Sequence, residues 1–301
     1  MPASNLLKPI VLRLHRLLSS RRDNLSVSAK VITRIQPTKG WGSLNLHELW
    51  DYRDLIYFLL WREVKGRYRQ MALGPLWIIL QPLLMVLINT VIFGIIARLP
   101  SDNLPYPVFN YAGVLPWSFF AAAVSRSTNS LVTEQHLISK VYFPRLVIPI
   151  VGVLAGLVDL AAGFGVLLLI MACFGIFPKV TILLVPGFLI LEAATALGIG
   201  LWLASLTVKF RDVGFGVNYL LQLWMYTTPI VYAVSLVPER FRFWYYLNPM
   251  TTVIQGFRWA LLGVEAPPLV PTLVSTCLVM IFLVTGALMF KRTERTIVDI
   301  V

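Results

Sequence analysis

Six apolar stretches set the limits of what this chain can fold into. They cover about 72–97, 108–124, 146–177, 180–208, 213–234 and 269–290. A bilayer core of about 30 Å calls for roughly 20 apolar residues in a helix, so the runs are read as membrane spans. Composition agrees, with 57% of the 301 residues hydrophobic and 13% charged, against roughly 25% charged in soluble domains. The expected fold is an all-α membrane protein with six transmembrane helices. Two spans are irregular. The 108–124 run is short and holds Pro116, and 213–234 is polar and aromatic with a Thr227-Thr228-Pro229 break.

Six spans put both termini on one side. Of the 26 Lys and Arg, only Arg98, Lys179, Arg240, Arg242 and Arg258 then fall on the opposite face. Positive charge marks cytoplasmic loops, so both termini are expected in the cytoplasm. The net charge of +12 is concentrated before Met71 and at span edges, as in chains held at an anionic leaflet, and nucleic acid is not an expected partner. Cys173 and Cys277 sit in apolar runs and read as core packing, not a disulfide. His15, His47 and His136 lack metal-ligand spacing. Arg13, His15 and Arg16 interrupt the only early apolar run, so no cleavable signal is expected. The dipeptide Gly-Lys does not occur, which excludes a P-loop within the chain. A membrane-embedded transferase stays open as a class, although no catalytic constellation stands out.

Three segments lie outside the spans. Residues 1–43 are basic, with Leu7, Ile10, Val11 and Leu14 at helical spacing, and read either as a surface helix or as a disordered leader. Residues 44–70 form an amphipathic helix expected to lie flat at the interface, opened by an Asn45–Glu48 capping box. Trp50, Tyr57 and Trp61 share its apolar side with Leu46, Leu49, Leu60 and Val64, while Arg62, Lys65, Arg67 and Arg69 crowd its end. That cluster is either a topology anchor or a site for an anionic headgroup. In residues 125–145, Leu131, Leu137, Ile138 and Val141 share one face of a short helix. Phe143-Pro144 ends it. The segment either lies on lipid or receives force from a soluble partner. On the outer side, Pro249 and Gly263 bracket a helix within 235–268, and Arg258 argues against a full span there. A pair of interfacial or re-entrant helices is expected, sheltered by protein where they dip.

Asp159 and Glu192 fall inside the third and fourth runs, each roughly 20–24 Å from the cytoplasmic end. Ionised and alone at that depth they are expensive. They serve either as a proton relay, as in a proton-coupled carrier or flippase, or as interhelical hydrogen-bonding groups. No basic residue is expected at mid-depth to pair with them.

Five ordered motifs resemble the membrane permeases of type-2 ABC exporters for O-antigen, capsule or teichoic acid. They are Gly-Pro-Leu-Trp-Ile-Ile-Leu-Gln-Pro (74–82), Tyr-Ala-Gly-Val-Leu-Pro-Trp-Ser-Phe-Phe (111–120), Leu-Ile-Ser-Lys-Val-Tyr-Phe-Pro-Arg (137–145), Val-Lys-Phe-Arg-Asp-Val (208–213) and Leu-Asn-Pro-Met-Thr-Thr-Val-Ile (247–254). The resemblance covers residues 40–301 and implies one six-span domain over 71–301. It implies a homodimer in the bacterial plasma (inner) membrane, with two copies of a separate P-loop ATPase that holds the ATP and magnesium. This chain would bind no cofactor and carry no ATPase or metal site of its own. The cargo would be a glycan on a polyprenyl diphosphate carrier. Leu131, His136, Leu137, Ile138, Lys140, Val141 and Phe143 would form the main coupling helix, and Lys209, Phe210, Arg211 and Asp212 a second ATPase contact. Residues 46–64 would be the gate helix. Trp244, Tyr245, Asn248, Thr252 and Arg258 would belong to the outer gate. The first and fifth spans would line the pore. Sugars favour flat apolar rings that carry a polar edge, which makes Trp77, Tyr219, Trp224, Tyr226 and Tyr232, with Gln81 and Gln222, candidate path residues.

Overall fold

The apolar runs fold as helices, and the departures come where polar residues interrupt them. The structure is a computed structural model that describes residues 46–68 and 76–300. The basic segment 1–43, Asn45 of the capping box, Arg69 and the Gly74-Pro75 opening of the first span lie outside those residues. Two short helices come first, α1 (Leu46–Asp51) and α2 (Arg53–Tyr68). The first span, α3 (Leu76–Asn89), widens into a π-helical stretch at Thr90–Ile96. Then follow α4 (Tyr106–Thr133), α5 (Gln135–Lys140) and α6 (Val147–Cys173). A 3-10 turn at Val180–Leu184 leads into α7 (Val185–Lys209), followed by α8 (Asp212–Tyr226). The chain closes with α9 (Glu239–Tyr246), α10 (Pro249–Leu262) and α11 (Leu269–Ile300). Among the described residues five helices are long and apolar enough to cross a bilayer. The chain is a multi-pass, all-α membrane protein.

The second span is not the short 108–124 run but a 28-residue helix, the most enclosed of the five. Its final turns carry Ser, Thr and Asn, which the sequence presents as loop. In the helix these side chains turn back on their own backbone. Ser130 Oγ donates to Ser127 O, Asn129 Nδ2 to Ser125 O, and Thr133 Oγ1 to Asn129 O. Back-bonding of this kind keeps polar side chains satisfied in a helix. Ser127 also packs against Gly200, so small residues let α4 meet α7.

The expected span at 213–234 is instead the 15-residue α8, about 22 Å long, followed by non-helical Thr227–Ala233. The chain nevertheless returns to the far end of the bundle, because Thr181 Oγ1, at the start of the fourth span, donates to Ala260 O of α10 at 2.8 Å. Helix α10 is almost wholly buried against α4 and α7. It ends as expected at Gly263, whose φ of 72° suits glycine.

Helix α4 packs on α6 and α7, and α7 also packs on α11. The α7–α11 crossing depends on two glycines. A Cβ at Gly198 would stand 3.0 Å from Leu283 N, and one at Gly286 2.6 Å from Gly198 O. Between membrane helices there is little hydrophobic gain, so close backbone approach supplies the attraction. Cys173 and Cys277 are unpaired and exposed rather than packed in the core.

Helix α2 does not lie across the bundle. Leu59 lines the same small cavity as Ile148 and Val151 of α6, and Arg67 reaches Asp159 of the same helix. Eight residues on α2 therefore match roughly the same rise on α6, and the two helices climb side by side.

Candidate functional site

Helix α2 divides its faces differently from the sequence reading. Leu49, Tyr52, Leu55, Ile56 and Leu60 pack with buried Leu59 toward Phe143, Ile148 and Phe290. Trp50, Tyr57 and Trp61 are exposed on the other side, with the Lys65 ammonium 5.8 Å from the Trp61 ring. The basic residues after Trp61 are not merely a row of anchors. Arg62 donates to the carboxylate of Glu134, the residue between α4 and α5. Arg67 Nη1 donates to Asp159 Oδ2 at 2.5 Å, and its Nη2 to Glu63 Oε1 at 3.3 Å. Arg126 joins them, with Nη1 3.8 Å from the same Asp159 oxygen and Nε donating to Gly152 O at 2.9 Å. Mid-depth therefore does hold basic partners for Asp159, contrary to the expectation from sequence. They come from α2 and from the continuation of α4. Glu192 differs from Asp159, being fully buried with neither oxygen hydrogen-bonded among the described residues. The two acids do not bond each other, so the expected interhelical hydrogen bonding between the third and fourth spans is absent for this pair.

A cavity of about 730 Å3 opens against this ion cluster. Arg67, Arg126 and Asp159 form one wall, and Trp77, Gln81, Trp117 and Tyr226 stand among the others. Trp77, Gln81 and Tyr226 were candidates from sequence. Trp117 and Arg126 were not assigned roles, although Trp117 stands in the 111–120 motif. The signal for Arg126 is an absence, because no Pro or Gly lies between Pro116 and Pro144 to end the helix early. A second cavity of about 250 Å3, bounded by Arg62, Glu63, Arg126 and Glu134, lies on the other side of the cluster. Arg126 lines both.

The remaining path candidates separate. Tyr219 and Gln222 are exposed on α8 and lie off the cavity wall. Trp224 is a packing residue, edge-on to Trp117 and Phe120, and its Nε1 donates to Asn248 Oδ1 at 3.0 Å. The Tyr232 hydroxyl meets that of Tyr245. Burial, and then the Tyr232 hydroxyl beside it, push the Tyr245 phenol up.

The residues expected at the outer gate divide between exposed and buried positions. Trp244 is exposed on α9. Asn248 instead caps α10, accepting from Met250 N at 3.1 Å and donating to Thr228 Oγ1 at 3.0 Å. Thr252 is fully buried. Arg258 is also fully buried, and its guanidinium donates to the carbonyls of Pro229 (2.7 Å), Ile230 (2.6 Å) and Phe109 (3.3 Å). It also lies 3.6 Å from the centre of the Phe109 ring. These carbonyls belong to the unwound stretch after α8 and to the start of α4, so Arg258 fixes where the chain stops being helical.

At the opposite end, the expected coupling helix is two pieces. Helix α4 ends at Thr133, the chain bends at Glu134, and α5 occupies only Gln135–Lys140. Leu131, Ile138 and Phe143 are buried in the core beneath α2, with Leu137 packed against them. They hold the segment in place rather than offering a surface. The surface consists of His136, Ser139, Lys140, Val141 and Tyr142, all exposed. Lys209, Phe210, Arg211 and Asp212 are exposed as well. Gly214 lies against Asn129 near the end of α4, which brings the two exposed segments to the same end of the molecule.

Comparison with known proteins places these features in context. The family model described as "ABC-2 type transporter" matches residues 54–262. The O-antigen export system permease protein RfbA of Myxococcus xanthus is 31% identical over 71% of this chain and 82% of its own length. An RfbA of Klebsiella pneumoniae is 30% identical over 68% and 79%. The polysialic acid transport protein KpsM of Escherichia coli is 28% identical over 68% and 80%.

Proposed function

The chain belongs to the ABC-2 type transporter family, as a permease of the polysaccharide-export kind, and from that premise we propose that it is the membrane subunit of an ATP-driven exporter. Two copies form the transport path, and two copies of a separate P-loop ATPase dock on the cytoplasmic end. The cargo is a polysaccharide on a polyprenyl diphosphate carrier, moved outward across the bacterial plasma membrane with both termini in the cytoplasm. The single observation that carries the coupling part is the paired exposed surface, 136–142 and 209–212, at one end of α4. Val141, Tyr142 and Phe210, apolar or aromatic and 53–66% exposed in the isolated chain, gain by being covered.

The test is co-purification with a co-expressed candidate P-loop ATPase. Val141→Asp with Tyr142→Asp is expected to reduce recovery of the ATPase at least about tenfold, the cost of placing charge in an apolar contact, while leaving the melting temperature unchanged. Full recovery of the partner would remove this reading of the surface. A proton-coupled carrier is the competing reading, and the observation in its favour is the enclosed, unpartnered Glu192.

A further inference from the structure

The cluster joining α2, α4 and α6 has the geometry of an anion site that is already filled. Arg67 and Arg126 converge on one oxygen, Asp159 Oδ2, at 2.5 and 3.8 Å. Glu63 takes the other arm of Arg67 at 3.3 Å. Guanidinium forks that hold a carboxylate hold a phosphate by the same parallel hydrogen bonds. Among the described residues, the formal charges of Glu63, Arg67, Arg126 and Asp159 cancel, which favours an arriving anion replacing Asp159 over one adding to it. The exchange is physically accessible, because the Arg67 and Asp159 side chains keep 22% and 31% of their exposure and the cavity of about 730 Å3 opens directly onto them. That volume lies within the roughly 300–1,000 Å3 of small-molecule sites, and Trp77, Trp117 and Tyr226 give it aromatic walls.

We propose that Asp159 is the resident occupant of a phosphate site built by Arg67 and Arg126, and that the phosphate of an incoming lipid-linked substrate displaces it and releases α2 from α6. This rests on the export reading above for the identity of the substrate. The Asp159 carboxylate is a latch, and the substrate opens it by supplying a better charged partner to the same two arginines. No bond is made or broken covalently, and the cluster gains the charge of the phosphate while Asp159 turns to the open cavity.

Binding of a C55 polyprenyl diphosphate to the full chain in phosphatidylcholine nanodiscs tests this. Asp159→Asn is expected to tighten binding about tenfold, because the competitor is gone, and Arg67→Gln or Arg126→Gln to weaken it by roughly the same factor. Unchanged affinity in Asp159→Asn overturns the displacement. So does equal competition from phosphatidylglycerol, which would assign the site to bulk lipid headgroups. Should Asp159→Asn fail to fold, a nitroxide on Gly66→Cys reads the latch in the intact cluster. Gly66 has open space around it, and Cys173 and Cys277 are replaced by serine. The polyprenyl diphosphate should mobilise the label, and Arg67→Gln should abolish that response; a label indifferent to the diphosphate overturns the proposal. Surface glycan in cells lacking the chain tests the export reading separately, so either can fail without the other.

Discussion

Arg258 shows how much one side chain decides. Its guanidinium answers the carbonyls of Pro229 and Ile230, which no helix satisfies, and also reaches Phe109 O at the start of α4, in a place where an unanswered backbone group is costly. Lysine offers one compact ammonium in place of the planar fork. Arg258→Lys is therefore expected to lower stability substantially and Arg258→Ala further, by about 3–5 kcal/mol, read as the melting temperature of the purified chain in detergent. A wild-type melting temperature in Arg258→Lys would show that the carbonyls find other partners. From sequence, Arg258 stood out only as a charge in an apolar segment. Its partners, 28 and 149 residues away in sequence, were beyond any local pattern.

At the scale of elements, apolar runs were readable wherever their ends were marked. The third span, the turn before the fourth and the Pro249–Leu262 helix fell close to where Pro and Gly placed them. The second span was cut short because Ser, Arg, Thr and Asn at 125–129 look like loop, although Asn129, Ser130 and Thr133 bond back to their own helix. Within the segment expected to couple, the faces are exchanged relative to the sequence pattern. Leu131, Ile138 and Phe143 face the core, and the side chains left for a partner are mixed polar and aromatic. Ile138→Asp should accordingly lower the stability of the chain itself, unlike Val141→Asp with Tyr142→Asp. The α7–α11 crossing was not legible, since Gly198 and Gly286 gain their meaning only from each other. Gly198→Leu is expected to force the two helices apart and cost about 1–3 kcal/mol by overpacking, visible as a lower melting temperature. An unchanged melting temperature there would mean that the crossing relaxes freely.

For the molecule as a whole, two energy sources are separable. Glu192 is fully buried with no hydrogen-bond partner among the described residues, while Asp159 is engaged by arginines from two other helices. Glu192→Gln keeps the shape and removes the proton. Surface glycan export is expected to continue in this variant and to ignore dissipation of the proton gradient while ATP is kept constant. Loss of export under both conditions would favour the proton-coupled carrier. The fold class and the membrane placement were open to inspection in the sequence because length and hydropathy act locally. The ion cluster was not, because Arg67, Arg126 and Asp159 are separated by long stretches and meet only when three helices pack.

Arg62 and Arg67 stand on one helix, five residues apart, the first bonded to Glu134 beside α5 and the second to Asp159 at the cavity. Five residues of helix span about 7.5 Å and do not flex between their ends, so neither arginine moves without the other. Linkage then imposes a symmetry. If the proposed ATPase docks and the cavity takes its ligand, whatever factor the ATPase applies to the affinity of the cavity for that ligand, the ligand applies to the affinity of the chain for the ATPase. On the proposed function, a loaded cavity would thereby be announced at the ATPase-facing end before any nucleotide is split, and an empty one equally well.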